Sequence, residues 1–188
     1  MKFLYTFFVL VFFVFVSCND SVLPKPKGLL RLEYPLQNYK RIDLDCDFSF
    51  DKNLQAVLKR SYEKDICGYV IDYPKLNASI YLTYRKVNGD LIKLLKDAQN
   101  LTQEHVVKAD EIIPRSYENT KSNIYGMFYE VLGDAASQSQ FYVTDSTKHF
   151  LLGSLYFKVK PNYDSIYPAA KYLQKDMQIL MESIKWKN

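Results

Sequence analysis

Three stretches of unbroken apolar character between residues 122 and 159 organise this chain. Residues 124–132, 140–145 and 149–159 read as consecutive strands. They are separated by two turn-rich breaks at residues 133–137 and 145–148. In the first, Tyr125, Met127, Tyr129 and Val131 share one face, and Ile124, Phe128 and Leu132 the other. In the third, Phe150, Leu152 and Tyr156 oppose Leu151, Leu155, Phe157 and Val159. A strand that is apolar on both faces must be covered on both faces, so the rest of the chain has to supply two covers. Earlier strands are predicted at residues 29–34, 39–50, 68–73 and 78–87. The last of these is half-covered, with Ala78, Ile80, Leu82 and Tyr84 opposite Ser79, Tyr81, Thr83 and Arg85. Residues 53–60 fit a strand or a short helix equally. Leu91, Leu94, Leu95, Ala98, Leu101, His105 and Val106 recur at helical spacing after an Asn88-Gly89-Asp90 start signal. A second helix is predicted from Ser165 as N-cap, with Pro168 in its first turn and an inner face of Ile166, Ala170, Leu173, Met177, Leu180, Met181 and Ile184. Trp186 is expected to pack at its end. This order predicts an α+β protein: a mostly antiparallel sheet with two main helices packed on its faces.

The chain opens differently. Met1-Lys2 precedes residues 3–16, which carry no charge and are too short for a bilayer crossing of about 20 helical residues. A basic start followed by an apolar middle is an export-signal pattern. The run ends in Phe15-Val16-Ser17-Cys18, which resembles the bacterial lipobox, with Phe15 where Leu is usual. We therefore expect a lipoprotein signal peptide over residues 1–17 and acylation of Cys18. Two or three acyl chains, at about 0.8 kcal/mol per buried methylene, hold a protein on a bilayer that one chain holds only marginally. Residues 18–27 form the lipidated cysteine and an extended linker, in which Pro24 and Pro26 exclude helix. At ~3.1 Å per residue the linker after Cys18 reaches about 28 Å. Residues 28–188 are then one domain. The element order resembles the Mog1/PsbP-like sandwich, a likeness of fold that carries no function.

Composition narrows the classes. The formal charge is +4, and removal of Lys2 leaves 24 basic and 21 acidic residues with no Lys/Arg stripe, so nucleic acid is not an expected partner. Six of the 12 Phe but only Tyr5 of the 16 Tyr lie in the leader, which leaves a mature chain rich in Tyr rather than Phe. Tyr suits both strand surfaces and interfaces. Of the 3 Cys, Cys46 and Cys67 remain once Cys18 is acylated. A disulfide would resolve the count in an oxidising envelope, and two unlinked buried thiols would fit the spacing as well. Asp145, Ser146 and His149 lie within one short span. That span is a tight turn and lacks the strained elbow, the buried orienting acid and the oxyanion hole that a triad requires. His105 extends an apolar helical stripe. No metal-ligand spacing and no Gly-rich phosphate loop is present, so no metal or cofactor is expected.

Several blocks are similar to GldD, a gliding-motility lipoprotein family of Bacteroidetes. They are Pro24-Lys-Pro-Lys-Gly28 with Leu30-Arg-Leu-Glu-Tyr-Pro35, Ile71-Asp-Tyr-Pro-Lys75, Leu101-Thr102, His105-Val-Val-Lys-Ala-Asp110 and Ala135-Ala-Ser137. The longest runs from Gln140 through Thr144-Asp-Ser-Thr-Lys-His149 to Phe157, and the last is Met181-Glu-Ser-Ile-Lys-Trp-Lys187. By this resemblance Cys18 is the lipobox cysteine, and family members have cysteines placed like Cys46 and Cys67. Ala135, Ala136, Ser137, Asp145, Ser146, Lys148 and His149 become a candidate interaction surface on one functional edge of the sheet. The resemblance implies an envelope lipoprotein, bound to the lipid bilayer through acylated Cys18, with protein partners in the gliding and type IX secretion apparatus and no assigned catalytic residue. A small-ligand module using residues 135–148, or a hydrolase using His149 or His105, are the alternatives.

Overall fold

The computed structural model describes residues 33–61, 67–103, 108–159 and 162–187. Ten strands and two α-helices follow in chain order among the described residues. The strands are β1 (Tyr39–Asp43), β2 (Phe48–Asn53), β3 (Val57–Arg60), β4 (Cys67–Tyr73) and β5 (Ala78–Lys86), then β6 (Ala109–Asn119), β7 (Ile124–Gly133), β8 (Ser137–Thr144), β9 (His149–Phe157) and β10 (Lys185–Trp186). Helix α1 (Leu91–Gln103) separates β5 from β6, and α2 (Tyr163–Glu182) separates β9 from β10. Seven strands form one sheet in the order β3-β4-β5-β9-β8-β7-β6, and β1, β2 and β10 form a small second sheet. Every pairing is antiparallel.

The two apolar faces of β7–β9 find the two covers they require. On one face Ile80, Leu82, Phe128, Phe141, Val143, Leu151 and Leu155 pack with Phe48 and Phe50 of β2 and with Leu173, Met177, Leu180 and Met181 of α2. On the other, Tyr142, Phe150, Met127, Tyr129 and Leu152 pack under Ala98, Leu91, Leu94 and Leu95 of α1. The alternation along β7 and β9 divides as the sequence predicts. Gly153 of β9 sits directly beneath the Phe141 ring, whose Cε1 would lie 2.3 Å from an added Cβ.

Polar contacts lock the larger cover. The Asp176 carboxylate of α2 is buried and accepts hydrogen bonds from Tyr73 Oη at 2.8 Å, Asn53 Nδ2 at 2.7 Å and the Tyr39 hydroxyl. One helical residue is thereby tied to β1, β2 and β4. Burial, with Asp176 adjoining, raises the pKa of both Tyr39 and Tyr73, so both stay protonated donors. Glu130 of β7, also buried, pairs with Lys171 of α2 and with Arg115 of β6 at 3.0 Å.

The structure revises several expectations. The stretch at residues 39–50 is two strands, broken at residues 44–47, because β1 and β2 fold onto each other as a hairpin. Glu33 and Tyr34 are outside any strand; Tyr34 instead stacks on Tyr172 of α2 with ring centroids 4.9 Å apart. Residues 57–60 settle as a strand. Helix α2 starts earlier than predicted, with Asn162 as N-cap accepting from the Ser165 amide at 3.4 Å. Pro168 is therefore inside the helix, beyond the first turn, where its missing N–H leaves one backbone bond unmade. Strand β6 has no counterpart in the sequence reading. It is an outer strand of mostly exposed residues that carries Pro114 mid-way, a residue tolerated on edges and excluded from sheet centres.

Candidate functional site

At one end of the large sheet several strand ends and turns converge around a cleft of about 730 Å³. The β1–β2 turn contributes Asp47, the end of β5 contributes Tyr84 and Lys86, and the β8–β9 turn contributes Asp145, Thr147 and Lys148. The remaining wall, beside His149, is Val87 and Asn88 after β5, Ser122 and Asn123 ahead of β7, and Trp186 and Lys187 at β10.

His149, the first residue of β9, is the centre of this arrangement and is buried. Its Nδ1 shares a 2.7 Å hydrogen bond with the Tyr84 hydroxyl, which also lies 3.4 Å from Asp47 Oδ2. Its ring stacks on Trp186 at 5.0 Å with 10° between planes. The indole N–H donates to the Asn123 carbonyl at 3.2 Å, fixing the plane from its other edge. Nε2 of His149 has no hydrogen-bond partner among the described residues.

Burial pushes the His149 pKa down, against the opposing pull of Asp145 and Asp47, so the ring is neutral at neutral pH. Burial, reinforced by Asp47, pushes the Tyr84 hydroxyl up. Asp47 is held below the ordinary carboxylate range chiefly by its hydrogen bond from Lys86, at 2.9 Å. For Asp145, burial works against ionisation, but the amides of His149, Lys148 and Thr147 and the Thr147 hydroxyl outweigh it and bring the pKa to about 2. Asp145 is thus a turn-closing acceptor. It binds the backbone amide of His149 at 2.8 Å, while the ring turns to Tyr84, so Asp145, Ser146 and His149 form no relay.

The structure separates the sequence-predicted surface into two places. Asp145, Lys148 and His149 line the cleft, with Ser146 beside them in the same turn. Ala135 and Ala136 precede β8 and Ser137 opens it, at the opposite end of a strand of 8 residues and about 25 Å away. Ala135 and Ser137 are buried there and Ala136 is exposed. Strand β8 lies between β7 and β9, so residues 135–148 follow an inner strand and not a sheet edge. Cys46 and Cys67 are joined in a disulfide with Cα atoms 6.0 Å apart, a separation that suits the bond. The bond fastens the turn carrying Asp47 to β4 at the register position opposite Tyr84. Cys18 and His105 lie outside the described residues. Asp47, Tyr84, Lys86 and Trp186 are cleft residues that the sequence reading missed. Long-range pairing brings them together: β5 with β9 sets Lys86 opposite His149, and β10 with β2 sets Trp186 opposite Phe48, next to Asp47.

Among the described residues no group of three or more His, Cys, Asp or Glu could hold a metal ion, and no helix is long and apolar enough to cross a membrane. The fold and cleft define an α+β protein with a doubly covered antiparallel sheet and a polar, aromatic-walled recess at one end. Comparison with protein families places it further: residues 19–186 match the family described as gliding motility lipoprotein GldD, and the chain belongs to that family. No curated protein matches it.

Proposed function

We propose that this chain is an acyl-tethered envelope lipoprotein required for gliding, acting as an accessory of the gliding and type IX secretion machinery by contact and not by bond chemistry. The observation that carries the reading is the family match over residues 19–186, which begins directly after Cys18. The lipobox-like Phe15-Val16-Ser17-Cys18 and the short Pro-containing linker support a folded domain held within about 28 Å of a bilayer. The polar recess, with its two carboxylates already engaged by neighbouring groups, supports recognition over catalysis.

The test is labelled palmitate in growing cells, followed by crosslinking from the native membrane. Label on the mature protein, together with recovery of a gliding or secretion component, is the expected result. Unlabelled protein free in the periplasm would contradict the tether, and crosslinks to no such component would contradict the accessory role.

A further inference from the structure

We propose that the cleft around His149 is a binding site for a saccharide that carries a carboxylate. This goes beyond the tethered-accessory reading and stands or falls separately from it. The volume of about 730 Å³ lies within the range of small-molecule sites and suits a disaccharide. Among its lining residues only Val87 lacks a polar or charged atom in its side chain, so the recess matches a hydroxylated ligand better than an apolar one.

Trp186 is the largest of the flat rings lining the cleft, beside those of Tyr84 and His149. It is held between the His149 ring at 5.0 Å and the Asn123 carbonyl that receives its N–H. A plane fixed in this way loses little freedom on binding and suits the C–H face of a sugar ring, whose hydroxyls would reach the side chains of Asn88, Ser122 and Thr147 at the rim. The unpartnered Nε2 of a histidine fixed through Nδ1 adds a hydrogen-bonding group with set direction.

Charge selects among saccharides. Asp47 is engaged by Lys86, and Asp145 by the amides of its own turn. Lys187 donates to the Leu44 carbonyl at 2.5 Å. The ammonium of Lys148 is exposed and has no partner among the described residues, which leaves a cation at the rim for a ligand carboxylate. An extended peptide fits less well. The recess is built from turns and strand ends, and all its lining residues but Val87 carry polar or charged side-chain atoms.

Trp186 is the single tryptophan of the chain, so selective indole fluorescence reports on this cleft alone. The mature acylated protein in detergent would be titrated with the N-acetylglucosamine–N-acetylmuramic acid disaccharide, digalacturonate, diacetylchitobiose and tetraglutamate. We expect a saturable change with one or both carboxylated sugars, and binding of uncharged diacetylchitobiose weaker by about ten-fold. Response to the muramic acid disaccharide alone assigns the site to cell wall, and response to digalacturonate alone to an acidic polysaccharide. Lys148→Met, on an exposed turn, should weaken binding by about ten-fold, and Lys148→Arg should retain it. The proposal is overturned if no sugar moves the emission, if the uncharged sugar binds equally, if Lys148→Met binds like the parent, or if tetraglutamate binds more tightly than either acidic sugar.

Discussion

Replacing Asp176 by Ala removes the acceptor on which three elements converge. Two of its donors belong to buried residues: the Tyr73 hydroxyl would have no other partner, and the Asn53 amide would keep only its long 3.4 Å bond to the Tyr172 hydroxyl; a fully orphaned donor costs about 1–3 kcal/mol. Tyr39 is only half-buried, so its hydroxyl can turn to water and adds little. The better helix propensity of Ala returns up to about 0.7 kcal/mol. The net cost is about 1–5 kcal/mol, a large share of a typical stability of roughly 5–15 kcal/mol. Urea denaturation followed by far-UV circular dichroism measures it, with an unchanged slope showing that the loss is in stability. The sharper test is the cycle with Tyr73→Phe. Once Asp176 is gone, deleting the Tyr73 hydroxyl removes an orphan, so the double variant should be more stable than the sum of the singles by about 1–2 kcal/mol. A cost below about 1 kcal/mol for Asp176→Ala, or strict additivity in the cycle, would refute the reasoning.

Two further outcomes follow from the cleft. The His149 ring should titrate below its ordinary 6.5, read from imidazole proton shifts. The unfolded chain takes up that proton first, so this residue leaves stability intact above pH 6.5 and subtracts from it as pH falls below; a midpoint at or above 6.5 would contradict the burial argument. Reducing the Cys46–Cys67 bond, which closes a separation of 21 residues, should lower stability by about 3 kcal/mol. It should also shift Trp186 emission, because the bond anchors the turn carrying Asp47; an unchanged melting temperature and spectrum under reductant would contradict this.

What the sequence made legible was whatever lies in local pattern. The two-faced apolar alternation of β7 and β9 predicted covers on both sides, and α1 and α2 with the small sheet supply them. Strand β6 escaped because an exposed edge strand has no apolar face to announce it, and Pro114 argues locally against a strand. The start of α2 was misplaced because Ser165 and Asn162 are both competent caps, and the structure uses Asn162. The site was half-legible. The Asp145–His149 turn stood out, but its partners Tyr84, Asp47 and Trp186 are remote in sequence and meet only through sheet register and the β10 pairing with β2. Ala135-Ala-Ser137 shares a strand with that turn and lies at the wrong end of it.

The most direct measurement is gliding by cells whose only copy of the gene carries Cys18→Ala. The account predicts a folded protein released from the membrane and colonies that do not spread. Normal spreading with the soluble protein would contradict the claim that its place on the bilayer is what the tether provides.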